Sequence, residues 1–193
     1  VRYLLFNKPD QVMPSFTDTE GRRTLADFVP VPGVYAAGRL DFDSEGLMVL
    51  TDDGGLIHRL TDPRHEHPKT YWVQVEGVIT AAQAEALARG VVLRGERTRP
   101  TEARLIAPPE VWPRERPVRG YHPTSWLELV LREGKKRQVR RMTAAVGLPA
   151  LRLIRVAIGP LHLGALAPGA WRDANDRERR ELSIDHNARH RTP

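Results

Sequence analysis

Residues 38–55 read GRLDFDSEGLMVLTDDGG, and the fold turns on how this stretch is understood. Asp41, Asp43 and Glu45 stand two apart, directly ahead of the apolar run Leu47-Met48-Val49-Leu50. A short apolar run closed by turn chemistry, here Asp53-Gly54, reads as a buried strand. Carboxylates are costly to bury unless paired or hydrogen-bonded, so three of them at the mouth of a strand need partners. Three readings compete. The spacing of Asp41, Asp43, Glu45, Gly46 and Asp52 imitates a calcium-binding loop, but such a loop needs a helix on each side. Gly38 breaks one flank and the other runs into a strand, so that reading is set aside. The second makes the carboxylates turn formers and solvated rim charges, with Ser44 and Glu45 closing the loop onto backbone amides. The third keeps Asp41 ionised beside a basic partner, either Arg39 or the cluster beginning at Lys135. A neighbouring cation lowers a carboxylate's pKa and keeps it nucleophilic at neutral pH. Spacing alone does not choose between the last two.

Working outward, YLLF at 3–6 reads as a short strand closed by Asn7-Lys8-Pro9, and Leu25 and Phe28 share one face of a short helix. LIHRL at 56–60 is one or two helical turns stopped by Pro63. KTYWVQVEG at 69–77 alternates, with Tyr71, Val73 and Val75 on one face and Thr70, Trp72 and Gln74 on the other. Thr80 and Gln83 form a capping box for a helix that Gly90 stops. Strands follow at VVLRG and TEARLI, then a Pro-rich excursion over 107–123, then a strand carrying Leu127, Leu129 and Leu131 on one face. KKRQVRRMTAAVG at 135–147 reads as a helix with the apolar stripe Val139, Met142, Thr143 and Val146. ALRLIRVAIGPL is a further strand. Trp112 and Trp126 are expected to pack, Trp126 at a half-exposed position. Strands outnumber helices without regular alternation, so the expected class is α+β with a mainly antiparallel mixed sheet, flanked by helices, in two lobes around a cleft.

The chain has 193 residues with 40% apolar content, enough for one domain with a substantial core. It has no cysteine, which excludes disulfides, a thiolate nucleophile and Cys-ligated zinc and fits a reducing cytoplasm. No apolar run is long enough for a membrane span. The net charge of +6 makes a polyanion the leading partner class. REGKKRQVRR at 132–141 carries six basic residues against one acid, whereas residues 173–193 are mixed in sign and read as a solvated, charged tail. His65 and His67 lie between prolines in a loop, and two histidines without further ligands do not make a metal site.

Taken together, GRLDFDSEGLMVLTDDG, KTYWVQVEG and EGKKRQVRRMTAAVGLPALRLIRVAIG resemble the RsuA-type pseudouridine synthases, over roughly residues 3–172. The resemblance implies a catalytic domain over 1–172, without the small S4-type RNA-binding domain that many relatives carry. It implies isomerisation of a uridine in ribosomal RNA to pseudouridine, with no cofactor; no metal is expected from the residues, and a monomer is the default expectation. GVYAAGRL and PTSWLELVL point to the members acting on the 23S RNA of the large subunit. By the same resemblance Asp41 is the catalytic aspartate, and Arg39 enters the RNA stack as the target base leaves. Tyr71 stacks on the flipped uracil and assists proton transfer, Lys135 pairs with the aspartate, and Leu153 lines the pocket. Lys136, Arg137, Arg140 and Arg141 then become phosphate contacts.

The residues make that chemistry intelligible. The ribose carbon becomes electron-poor as the N1–C1′ bond breaks, and a carboxylate is the natural group to meet it. A stacked uridine must be extruded first, at a cost of a few kcal/mol. A planar arginine is suited to the gap, and an aromatic offers the base about 1–3 kcal/mol of stacking. A catalytically silent RNA-binding or ribosome-assembly protein on the same fold is the alternative; phosphate binding would need neither Asp41 nor Tyr71. A glycosidase using Asp41 and Glu45 leaves the basic surface unexplained.

Overall fold

The computed structural model describes residues 1–65 and 67–187. Strand β1 (Tyr3–Lys8) is followed by a loop with one 3-10 turn at Leu25–Asp27, then by β2 (Tyr35–Ala36) and β3 (Glu45–Thr51). Helix α1 (Gly54–Thr61) leads to β4 (Lys69–Glu76), α2 (Ala81–Arg89), a small hairpin of β5 (Val92–Leu93) and β6 (Glu96–Arg97), and β7 (Glu102–Ile106). Beyond the Pro-rich segment lie β8 (Thr124–Leu131), α3 (Gln138–Ala145), β9 (Ala150–Ile158), β10 (Leu161–His162), β11 (Trp171–Asp173) and α4 (Asp176–Asn187). Nine strands form one sheet along the path β11-β1-β3-β9-β4-β8-β7, with β2 beside β3 and β10 beside β9. The class is α+β, as expected.

Alternation along β4 divides its side chains between two cores. Val73 and Val75 are fully buried, with Tyr71 beside them, against Leu127, Leu129, Met142 and Leu153, while Trp72 packs on the opposite side with Trp126 and Ile154. Trp126 is buried rather than half exposed, because that face too is covered. β3 is buried along its whole length, which explains why it reads as a continuous apolar run instead of alternating. The capping box of α2 forms as expected, and Gln83 also donates to the Val146 carbonyl, tying α2 to the end of α3.

The sheet is antiparallel at every pair but one. β3 and β9 run parallel and touch only where Glu45 meets Ile154 and Gly46 meets Arg155. Gly46 has φ +110°, and a Cβ there would stand 2.3 Å from the Arg155 carbonyl oxygen. No side chain fits that approach, so glycine is what lets the two central strands close on each other.

Three expectations are corrected by the fold. Asp53 is the N-cap of α1, accepting from the Leu56 amide, so the helix begins earlier than the apolar residues suggested. The helix expected from Lys135 begins only at Gln138, because Arg137 adopts a left-handed conformation (φ 55°) and turns the preceding residues into a loop. The stretch from Asp173, read as a solvated tail, is folded as far as Leu182. Glu178 is buried against Arg172 at 2.9 Å, Asn175 caps its amide, and Leu182 enters the core beside Leu5. One leucine among charges was too little signal to find this. Residues 188–193 of that expectation lie outside the described residues.

Gly46→Ala is expected to destabilise the fold by about 3–5 kcal/mol, through backbone strain and overlap acting together. Urea unfolding would register this as a lower midpoint at unchanged slope; an unaltered midpoint would contradict the close seam.

Candidate active site

The acidic loop ahead of β3 is held from below and from both sides. Lys8 is fully buried, and its ammonium donates to the carbonyls of Pro9 and Val12, each at 2.8 Å, and of Phe42 at 3.3 Å. Burial pushes its pKa down to about 7, with the surrounding carboxylates opposing the shift. Glu45 is wholly buried, and Arg152 grips it with two hydrogen bonds of 2.8 and 2.9 Å. The Trp112 indole donates to the same carboxylate at 2.9 Å, and its ring lies under the Arg152 guanidinium. Asp43 receives a two-pronged pair from Arg137, both bonds 3.0 Å, while Arg140 donates to its backbone carbonyl at 2.7 Å. Burial works against the charged form of Asp43, but the two guanidiniums outweigh it and hold the carboxyl below the usual range. Neither Asp43 nor Glu45 is a solvated rim charge. Both anchor the loop, and neither is open to a calcium ion.

Asp41 differs from its neighbours. Among the described residues its carboxylate makes one ion pair, with Arg137 at 3.6 Å, and it is one-third exposed, facing a cleft of about 760 Å³. That cleft gathers Arg39, Tyr71, Leu153, Lys135, Lys136 and Arg137 around Asp41, from segments far apart in the chain. Arg39 is exposed at its mouth and, among the described residues, its guanidinium has no partner. Its backbone is fixed, since the buried Arg155 donates to the Arg39 carbonyl at 3.2 Å and to that of Leu47 at 2.9 Å. Tyr71 lies opposite Arg155 and Leu129 in the sheet, and Leu153 is buried on the adjacent strand.

Two expected roles change. Lys135 reaches Glu96 at 2.9 Å instead of Asp41, and Arg137 stands in the position foreseen for it. The cause is the left-handed Arg137, which sends consecutive side chains in opposite directions. Arg140 is turned inward onto the acidic loop and is not presented to solvent as a phosphate contact. Lys136 is exposed on the cleft wall, and Arg141 is half-buried and does not line it.

One cleft residue was missed. Lys69 lines the floor with no hydrogen bond or ion pair among the described residues, and burial together with Arg155 lowers its pKa. A usable signal was present: on a strand, residues two apart share a face, which places Lys69 beside Tyr71. Elsewhere, donor atoms of His58, Asp62 and His65 lie within 4.8 Å of one another. Asp62 is already engaged by Arg64 at 2.6 Å, which holds its carboxyl far below the usual range. No helix among the described residues is long and apolar enough to cross a membrane.

The acidic loop, Arg39 and Tyr71 thus meet at one cleft on a nine-stranded mixed sheet. A sequence profile of the RNA pseudouridylate synthases matches residues 2–145, and the chain belongs to that family. It is 60% identical over 170 residues to a ribosomal large subunit pseudouridine synthase E of Xanthomonas axonopodis pv. citri, covering 86% of this chain and 90% of that protein. It is 38% identical over 183 residues to the ribosomal small subunit pseudouridine synthase A of Escherichia coli K12, covering 92% and 72%. A solved pseudouridylate synthase superposes with a TM-score of 0.79 at 32% identity, over 94% of this chain and 73% of that one.

The Asp43 pair has a pH signature. A carboxylate with a depressed folded pKa stabilises the fold above its unfolded value, near about 3.9, and that contribution is lost as the pH falls through the folded value. Asp43→Asn is therefore expected to cost about 1–3 kcal/mol at pH 7 and progressively less below pH ~4. Denaturant unfolding of both proteins at the two pH values would check it; a gap independent of pH would contradict the ion pair.

Proposed function

We propose that this enzyme converts one uridine of 23S ribosomal RNA to pseudouridine, as a monomer acting in the cytoplasm, with Asp41 as the catalytic carboxylate. The meeting of Asp41, Arg39, Tyr71 and Leu153 around a single cleft supports the reading, together with the large-subunit activity in the names of its nearly full-length relatives. The absence of cysteine is compatible with a reducing compartment.

In this reading Arg39 fills the space the target base vacates, and the extruded uracil lies between the Tyr71 ring and Leu153. As the N1–C1′ bond breaks, Asp41 meets the electron-poor C1′, and uracil leaves as an anion that stays in the cleft. The ring turns, C5 bonds to C1′, and Tyr71 assists loss of the C5 proton while N1 takes one up. Arg137 sets its positive charge 3.6 Å from the Asp41 carboxylate and orients it. Lys69, an ammonium in a partly desolvated floor without a protein anion, stabilises the negative charge on uracil during its turn.

The test is to incubate the protein and its variants with unmodified large-subunit RNA and to map pseudouridine by carbodiimide-dependent primer stops. Wild type is expected to give one new site, and Asp41→Asn to lose on the order of 10⁴-fold or more in rate. A mutant that still modifies the RNA would remove Asp41 from the chemistry. Binding of RNA without any modification by wild type would favour the silent RNA-binding protein.

Arg137 and Lys135 separate in the same assay. Arg137→Met is expected to lower kcat roughly 10²-fold, by loss of preorganised charge beside Asp41. Lys135→Met should change KM a few-fold and leave kcat near wild type, because its contact is Glu96. The reverse ranking would restore Lys135 to the role first expected of it.

A further inference from the structure

A second hollow, of about 650 Å³, opens beside the cleft and has no part in the chemistry described above. It is lined by Phe16, Val31, Val34 and Tyr35, and it shares Gly38, Arg39 and Thr61 with the cleft, so Arg39 stands on the ridge between the two. Among the described residues, no carboxylate lines it and Arg39 is its one cation. Tyr35 is 65% exposed although it sits on β2, paired to Thr51 of the buried β3. An aromatic ring left open on a firm strand, beside an apolar wall edged with hydroxyls, offers a flat apolar face with polar groups at its margin. A nucleobase has that chemistry; a phosphate or a charged side chain does not.

We propose that this hollow is a second base subsite, holding the base of the nucleotide next to the target uridine, stacked on Tyr35. The inference rests on the reading of the neighbouring cleft as the uridine site. An arginine inserted into an RNA stack has the extruded base on one side and the flanking nucleotide on the other. Because the ridge carrying Arg39 is also the wall of the hollow, the flanking base is delivered to it as the target enters the cleft. Stacking on an aromatic tolerates any base, so the subsite contributes affinity and orientation; the choice of uridine is left to the cleft.

The experiment uses the full chain and a short transcript around the uridine mapped as above. Tyr35→Ala is expected to raise KM about 5- to 100-fold with kcat at saturation near wild type, the range that loss of one stacked base gives. Tyr35→Trp should restore KM. The slope of log affinity against log salt should not change, since no phosphate contact is lost. In an Asp41→Asn background, fluorescence of the tryptophan placed at 35 should be quenched when RNA binds. On a transcript with an abasic flanking nucleotide, Tyr35→Ala should carry no further penalty. An unchanged KM, a penalty that persists on the abasic RNA, or a loss in kcat alone would each overturn the subsite. Any of these, with wild type active and Asp41→Asn inactive, leaves the main reading intact. An active Asp41→Asn would instead defeat the main reading and the subsite with it.

Discussion

The backbone of Arg155 passes so close to Gly46 that only a glycine can stand there. Every other strand pairing among the described residues is antiparallel; this parallel one joins β3 to β9 across more than a hundred residues. It fixes where β3 begins, and therefore where the acidic loop ends. The residue before the glycine, Glu45, points into the protein and meets Arg152, three residues before Arg155 on the same partner strand. The seam and the buried ion pair are thus one feature seen twice: bringing the strands together buries Glu45, and Arg152 with Trp112 makes that burial tolerable. A buried pair of this kind gains little over an apolar pair in stability. Its effect here is on position, because it holds the strand that carries the loop.

The same logic recurs along the loop. Asp43 is met by Arg137 and Arg140 from the start of α3, and the Phe42 carbonyl by Lys8 from β1. Three remote segments therefore converge on residues 41–45, each bringing a cation. Part of the basic excess, read first as a sign of a polyanionic partner, is consumed internally. Among the described residues, Arg39, Lys69 and Lys136 line the cleft without a carboxylate partner, as does the buried Arg155, which is spent on backbone carbonyls.

What could be read from the sequence followed what is local. The alternation of β4, the capping box at Thr80, and the glycine at the end of α2 are decided by neighbours within a few residues, and all appear as expected. The apolar run of β3 gave the strand. Side-chain partners are decided by the tertiary fold, and there the reading ran out. Lys135 and Arg137 are equally basic and two apart; only the left-handed turn at Arg137 decides which of them faces Asp41, and no glycine or asparagine marks it. Glu45 looked like any acidic residue in a loop because its partners lie at 112 and 152. Leu182 was a lone apolar residue in a charged stretch, and a single anchor leaves no periodicity to detect.

Of the three carboxylates in the opening stretch, the fold leaves one facing the cleft. Glu45 is saturated by a guanidinium and an indole, and Asp43 is clasped by one guanidinium and approached by a second. Both are neutralised in place by their guanidinium partners. Asp41 keeps a single contact at 3.6 Å, longer than a hydrogen bond, and an exposed face. At that distance the Asp41 carboxylate is held less tightly than the clasped Asp43. The loop thus commits two carboxylates to holding its own shape and leaves the third open to the cleft.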